Sequence, residues 1–173
     1  MPDFFRGKIH KENMHMKKII IFSDTHGHSE DACYVIDRED RVDMIIHAGD
    51  VAKDAEDIEC IYESIPIYYV CGNCDSFSRA PSVRECNRFG KKFFITHGHG
   101  YHVKSETEID YPTIAHEGKE RDADIVVFGH THIPYIGYYG KSTIINPGSL
   151  RYGRTYAICT IDGDKVRADI KKF

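Results

Sequence analysis

The feature that most constrains this fold is a recurring pattern in which an apolar run ends at a short, glycine-containing polar loop. Six runs end this way: S-D-T-H-G-H follows Phe22, H-A-G-D follows Ile46, C-G-N-C-D follows Val70, T-H-G-H-G follows Ile95, G-H-T-H follows Phe128 and N-P-G-S follows Ile145. The ends of strands in open α/β sheets border a common crevice, so polar side chains from successive loops can converge there. The pattern predicts an α/β fold with one ligand site at the strand ends.

The spacing of apolar residues predicts alternating strands and helices in the first half of the chain and mainly strands in the second half. The predicted strands are 18–22, 44–46, 65–70, 83–89, 93–96, 125–128, 136–139, 142–145, 156–161 and 165–170, and the predicted helices are 29–40, 52–64 and 113–121. Residues 1–15 are polar and aperiodic, so we expect a tail there and a single domain over 16–173.

Charge and cysteine usage narrow the function classes. The formal net charge of −4 disfavours an extended nucleic-acid surface. Six cysteines without a disulfide-framework spacing and the lack of a secretory leader indicate a reducing, cytoplasmic compartment. The apolar runs are too short to span a membrane. A homo-oligomer remains open.

The strand-end loops carry more metal donors than one ion can use. The best-placed donors are Asp24, His26, Asp50, Asn73, His97, His130 and His132. Imidazole, carboxylate and amide donors suit a borderline divalent ion, Mn²⁺ first, with Fe, Co, Ni or Zn as alternatives. Two ions sharing a carboxylate account for the set, and such pairs hydrolyse phosphoesters. An isolated His-x-His would as readily be structural, but the repetition over six loops favours the metal site.

Several residues near the loops have open roles. His28, His47, His99 and His102 are as consistent with loop hydrogen bonding as with contacts to ligands or substrate. Tyr101, His102 and the segment 104–110 are candidates to cover the pocket. Cys71 and Cys74 form a C-x-x-C pair, but a redox pair would open a helix and residues 75–81 are predicted to be loop. Zinc binding by the pair would need a second pair of ligands.

In their order, the motifs D-x-H, G-D, G-N, H-G-H and G-H-x-H resemble those of the calcineurin-like metallophosphoesterases, from about Lys17 to Ser149. The small size and I-N-P-G-S resemble the compact prokaryotic phosphodiesterase branch, which is similar to the retromer subunit. The resemblance implies a four-layer α-β-β-α sandwich, an α/β (α+β) fold of two mixed β-sheets flanked by helices. It also implies two metal sites, one formed by Asp24, His26, Asp50 and His132 and the other by Asp50, Asn73, His97 and His130.

The resemblance further implies a phosphodiesterase acting on a small-molecule phosphoester through a hydroxide activated by two metals, with Asp50 and Asn73 as catalytic residues. A phosphomonoesterase is the nearest variant, and a protein-interaction scaffold is the alternative from another class. Many family members carry G-N-H, whose histidine assists the leaving group, where this chain has Cys74. Cys74 and His99 are therefore candidates for contacts to the substrate or to the metal ligands.

Overall fold

The computed structural model describes residues 15–104 and 111–173. The strands are β1 (Lys17–Phe22), β2 (Met44–His47), β3 (Ile67–Tyr69), β4 (Val83–Arg88), β5 (Lys91–Thr96), β6 (Ile125–Val127), β7 (Tyr135–Tyr139), β8 (Ser142–Asn146), β9 (Thr155–Asp162) and β10 (Lys165–Lys172). The helices are α1 (Ser29–Asp37), α2 (Ala52–Ile61) and α3 (Pro112–Glu120), and His99–Tyr101 forms a 3-10 turn.

Each predicted strand and helix is present, and the ends differ by at most three residues. The largest differences lie at the carboxyl ends of α1 and α2, which stop before the predicted residues 40 and 64. After α2 the chain approaches Pro66, and the residue before a proline disfavours helical backbone. The predicted tail falls mostly on residues 1–14, which lie outside the described residues, so it stays a prediction together with the single-domain boundaries.

The strands form two five-stranded mixed sheets. The first has the order β10-β9-β1-β2-β3, in which β1, β2 and β3 are parallel and β9 and β10 are antiparallel to their neighbours. The second has the order β4-β5-β6-β8-β7, in which β5, β6 and β8 are parallel and the two edge strands are antiparallel. Each sheet therefore has three parallel strands.

The two sheets pack face to face, and helices cover their outer faces. In β1, Ile19 and Ile21 belong to the core between the sheets, whereas Ile20 and Phe22 belong to the core under α1 and α2. Helix α3 covers the second sheet through a third core that includes Ile114. Burial on both faces explains why β1 is a continuous apolar run rather than an alternating one. The four-layer α-β-β-α arrangement is confirmed.

This topology places the polar loops. Each of the six loops follows the carboxyl end of one of the six parallel strands, and the antiparallel strands β4, β7, β9 and β10 carry none of them. The loops bond to one another: within the second sheet the Gly129 N–H donates to the His97 carbonyl (3.1 Å), and across the two sheets the Leu150 N–H donates to the Ser23 carbonyl (3.1 Å). The six loops therefore meet at one edge of the sandwich. No helix among the described residues is long and apolar enough to cross a membrane.

Candidate metal centre

The first set of converging side chains, which we call the Asp24 group, consists of Asp24, His26 and His132. Their donor atoms lie within 4.8 Å of one another. Asp24 Oδ1 lies 3.0 Å from His132 Nε2 and 3.8 Å from His26 Nε2. Asp24 and His26 follow β1 of the first sheet and His132 follows β6 of the second, so this group bridges the two sheets.

The second set, the His97 group, consists of Asp50, Asn73, His97 and His130. His97 Nε2 lies 3.4 Å from Asp50 Oδ2 and 3.2 Å from Asn73 Oδ1. The ring of His130 lies beside that of His97, with 5.0 Å between centroids. The two groups adjoin, because His97 Nε2 is also 3.9 Å from Asp24 Oδ1. All seven side chains predicted as ligands thus lie together.

The backbone around these residues is strained. Four of the seven side chains project from residues with left-handed backbone: Asp24 (φ 53°), His26 (φ 45°), His130 (φ 67°) and His132 (φ 60°). Val51, next to Asp50, has φ 82°, which is unusual for a β-branched residue. Such conformations cost on the order of 1–3 kcal/mol each and persist where the surroundings enforce them, often at functional sites.

Hydrogen bonds orient Asp24 and Asp50. The carboxylate of Asp24 accepts from the Ser23 hydroxyl (2.6 Å) and from the His130 N–H (3.0 Å). The Ser149 hydroxyl donates to the Asp24 carbonyl (2.9 Å). The Asp50 carboxylate accepts from the Cys74 N–H (3.0 Å). Contacts of this kind orient metal ligands and raise metal affinity.

His97 is held in one tautomer. Its Nδ1 lies 2.7 Å from the Ala48 carbonyl. Because a carbonyl oxygen only accepts, Nδ1 carries the proton and Nε2 presents a lone pair towards Asp50 and Asn73 in the neutral ring. The side chain of His97 is fully buried, so its orientation is fixed by packing as well as by the hydrogen bond.

The charge states of Asp50 and His130 suit metal binding, whereas at His97 a metal has to displace a proton. Burial lowers the pKa of His97, but the hydrogen bond to Asp50 and the charges of Asp24 and Asp50 outweigh it and raise that pKa. Burial alone would raise the pKa of Asp50, but hydrogen bonding and charge from His97 and the Cys74 N–H outweigh it and hold that pKa well below its usual range. Burial, with the nearby His97 and Lys104 charges, lowers the pKa of His130 to about 4. Asp50 is therefore ionised and His130 neutral at pH 7, the forms in which both bind metal.

Two further observations fit a bound divalent ion. His26 Nε2 is buried and has no hydrogen-bond partner among the described residues. At Gly72 a Cβ would lie 1.7 Å from Asp50 Oδ1, so only glycine lets the backbone approach this carboxylate. A buried nitrogen without a partner, such as His26 Nε2, is costly unless a ligand satisfies it. The nitrogen and oxygen donors present match the preferences of borderline divalent metals.

The C-x-x-C pair lies in a loop. No helix or strand occurs between β3 and β4, which agrees with the predicted loop. Burial raises the pKa of Cys71, and a hydrogen bond to Asp50, followed by burial, raises the pKa of Cys74 to about 11. A redox-active thiol has a lowered pKa. The environment therefore indicates that Cys71 and Cys74 are neighbours of the predicted metal ligand Asn73 rather than a redox pair.

Of the histidines with open roles, His47 is the clearest. It is fully buried, accepts from the Gly49 N–H through Nδ1 (3.2 Å) and lies 2.9 Å from Thr25 Oγ1 through Nε2. Burial is the main cause that lowers its pKa to about 3, so it stays neutral. His47 links the loop after β1 to the loop after β2 and lies behind the site.

The remaining open residues lie at the margins. The ring of His99 lies 5.5 Å from that of His97, and its Nδ1 is buried without a partner among the described residues. His28 precedes α1 at its amino end. His102 follows the 3-10 turn with φ 56°. Of the predicted covering segment 104–110, residues 105–110 lie outside the described residues.

Sequence reasoning missed several residues at the site. Tyr152, two-thirds exposed, stacks on His132 with 5.2 Å between ring centroids and also contacts the ring of His26 (5.3 Å). The Asn146 amide donates to the Gly129 carbonyl (3.0 Å) and so braces the loop that carries His130. The N-P-G-S motif marked the loop at the end of β8, but the partners of Asn146 and Ser149 are evident only in the folded structure.

Comparisons with known proteins agree with this geometry. The model of the calcineurin-like phosphoesterase superfamily domain matches residues 16–164. YsnB of Bacillus subtilis, named a probable metallophosphoesterase, is 31% identical over 153 residues, which cover 84% of this chain and 85% of YsnB. The crystal structure of a predicted phosphoesterase from Streptococcus pneumoniae matches with a TM-score of 0.75 and 28% identity over 92% of this chain and 91% of that one. Vacuolar protein sorting 29 of Cryptosporidium parvum shares the fold, with a TM-score of 0.67 and 15% identity over 91% and 98% of the two chains.

Proposed function

This chain belongs to the calcineurin-like phosphoesterase superfamily, and within it we propose that the protein is a metal-dependent phosphodiesterase that uses two divalent ions, Mn²⁺ by preference, on a small-molecule substrate. The observation that carries the proposal is the convergence of seven side chains with competent donor atoms at one edge of the sandwich. We place this activity in the cytoplasm, where its six free cysteines stay reduced.

Two ions bound here would divide the ligands and share Asp50. The Asp24 group together with Asp50 would hold one ion, and the His97 group would hold the other. Two distances support the sharing: donor atoms of Asp50 and His26 lie within 4.8 Å of each other, and Asp50 Oδ2 lies 3.4 Å from His97 Nε2. Asp50 and Asn73 would then act at the reacting centre, because both lie within 3.4 Å of His97 Nε2.

The residues perform the chemistry by position and charge. Two ions bound here would polarise the phosphoryl oxygens and supply hydroxide at neutral pH. The buried carboxylate of Asp24 and the fixed imidazole of His97 keep their lone pairs aimed at the same point, so little reorganisation is needed during the reaction. The neutral His130 leaves the site without an added positive charge.

Charge also favours diesters over monoesters. The contacts to both groups come from neutral side chains and backbone groups, such as the Ser23 hydroxyl and the Cys74 N–H. A diester carries one negative charge at neutral pH and a monoester about two. The hydrogen bonds to the two aspartates add no cation, and the one charge of Lys104, which adds to burial in lowering the pKa of His130, matches the single charge of a diester better than the two of a monoester.

The test is an assay of purified protein with bis(p-nitrophenyl) phosphate and Mn²⁺, with p-nitrophenyl phosphate as the monoester comparison and elemental analysis of bound metal. We expect turnover with two metal equivalents, faster on the diester, and loss of turnover on chelation. Folded, metal-loaded protein without turnover on either ester would contradict the enzyme. That result would favour the protein-interaction scaffold, for which the fold similarity to vacuolar protein sorting 29 is the supporting observation.

A further inference from the structure

A cavity of about 550 Å³ opens beside the metal centre. Its walls are Lys53 and Glu56 of α2 and the loop segment 74–79. Cys74 belongs both to this wall and to a cluster of donor atoms with His26 and Asp50. The cavity therefore adjoins the metal centre at Cys74, and its volume lies within the range of small-molecule sites.

The wall of the cavity carries an uncovered aromatic ring. Phe77 is 100% exposed, the highest value among the large apolar side chains exposed in the described residues. The loop beneath it is fixed: the Asp75 carboxylate accepts from the Gly72 N–H (2.7 Å) and the Ala52 N–H (2.8 Å), and the Ser78 N–H donates to the Asp75 carbonyl (2.9 Å). A constrained loop that holds an aromatic ring in water presents a surface suited to stacking.

The charges of the cavity wall balance, because Lys53 and Arg79 offset Glu56 and Asp75, so the wall suits an uncharged ring. Lys53 pairs with Asp57 on the same helix, and the Asp75 carboxylate is occupied by backbone N–H groups. Arg79 is exposed and has no ion pair or side-chain hydrogen bond within the described ranges 15–104 and 111–173. Its guanidinium is available to a phosphate or another electron-rich group of a ligand in the cavity.

We propose that this cavity is the subsite for one ester substituent of the substrate, and that the substituent is a planar aromatic group, an aryl ring or a nucleobase, stacked on Phe77. The inference rests on the proposed phosphodiesterase function and specifies its substrate class. Aromatic stacking tolerates any planar ring, so Phe77 selects aromatic over aliphatic esters without reading one particular base.

A binding experiment tests this without requiring turnover. Phenylphosphonate and methylphosphonate offer the metal centre the same phosphonate and differ only in the ring. We expect calorimetry on metal-loaded protein to show about tenfold tighter binding of phenylphosphonate. In Phe77→Ala this preference should disappear while methylphosphonate binding is unchanged, and Phe77→Tyr should keep the preference.

The outcomes separate the two claims. Binding of neither phosphonate contradicts the proposed function and the subsite with it. Equal binding of both in the wild type, or an undiminished preference in Phe77→Ala, contradicts the subsite alone.

A second measurement uses the absence of tryptophan from the sequence. The Phe77→Trp variant has its single tryptophan in the cavity, and we expect 4-nitrobenzylphosphonate, whose C–P bond is not hydrolysed, to quench its fluorescence saturably in the metal-loaded protein. The control is Tyr138→Trp, at an exposed position on the edge strand β7, where quenching should rise linearly with concentration. Linear quenching in both variants would overturn the subsite.

Discussion

The two groups of the metal centre are built in opposite ways. In the Asp24 group the carboxylate is the buried anchor, and the histidines around it are partly exposed: the side chain of Asp24 is 0% exposed, against 20% for His26 and 32% for His132. In the His97 group the imidazole is the buried anchor and Asn73 is exposed. The His97 group therefore opens towards solvent and the cavity at Phe77, whereas the Asp24 group is covered by Tyr152.

The difference assigns different tasks to the two groups. A buried carboxylate with several hydrogen-bond donors is a rigid anionic support, and a metal held there would exchange slowly. An exposed amide ligand beside an open cavity leaves room for a substrate to approach. Both groups take donors from both sheets, so bound metal would also stabilise the packing of one sheet against the other.

The strongest test of the comparison removes Asp50, the residue that the proposed division assigns to both ions. Asp50→Ala should lose both ions and lower kcat/KM by roughly 10³-fold or more, because each ion contributes several kcal/mol of transition-state stabilisation. Elemental analysis and diesterase kinetics measure the two effects. Asp164→Ala, which removes an exposed carboxylate between β9 and β10, is the matched control and should leave both unchanged. Two metal equivalents in Asp50→Ala would refute the shared carboxylate.

The next test addresses the groups one at a time. His26→Ala should lose the ion of the Asp24 group and His130→Ala the ion of the His97 group, each leaving about one equivalent and lowering the rate by about 10²-fold. Calorimetric titration of each metal-free variant with Mn²⁺ measures the affinity of the site that remains and so identifies it. If either variant lost both ions, the groups would act as one unit and the division between them would fail.

A smaller effect is expected from the bracing of Asp24. In Ser23→Ala the carboxylate keeps the His130 N–H but loses the hydroxyl bonded at 2.6 Å, so affinity for the first ion should fall by about tenfold. The second ion should bind nearly as in the wild type, because Ser23 reaches the His97 group only through the backbone carbonyls of Ala48 (3.3 Å) and Gly49 (2.9 Å). Equal weakening of both ions would indicate a general loosening of the loops, which thermal unfolding of the metal-free variant would reveal.

Much of this arrangement follows from the sequence, for a definable reason. A glycine with His, Asp or Asn at the end of an apolar run is a local signal, and parallel strands bring the carboxyl ends together, so the position of Asp24 or His97 could be predicted. Ser23 gave no such signal, since its role depends on partners brought close by folding. The stacking of Tyr152 on His132 and the left-handed backbone of His130 are likewise set by contacts between distant loops.

The smallest expected effect concerns Cys74, at the open end of the His97 group. Its backbone N–H holds Asp50, a contact that serine preserves, and its thiol stays protonated at neutral pH because its pKa is raised to about 11. Cys74→Ser should therefore change the rate on bis(p-nitrophenyl) phosphate by less than about threefold, since nitrophenolate departs without a proton.

The dependence of the rate on the leaving group tests why the effect of Cys74→Ser should be small. If no side chain at position 74 protonates the leaving oxygen, wild-type rates should fall steeply as the leaving-group pKa rises across a series of aryl and alkyl diesters. Cys74→His should flatten this dependence, because an acid positioned there is worth ~10² to 10⁴-fold on poor leaving groups. A shallow dependence in the wild type would show that another group already supplies the proton. His99, whose ring lies 5.5 Å from that of His97, is the candidate. A collapse of activity in Cys74→Ser would instead show that the thiol takes part in the reaction. The His97 group would then tolerate substitution at its solvent-facing side no better than the Asp24 group does at its buried carboxylate.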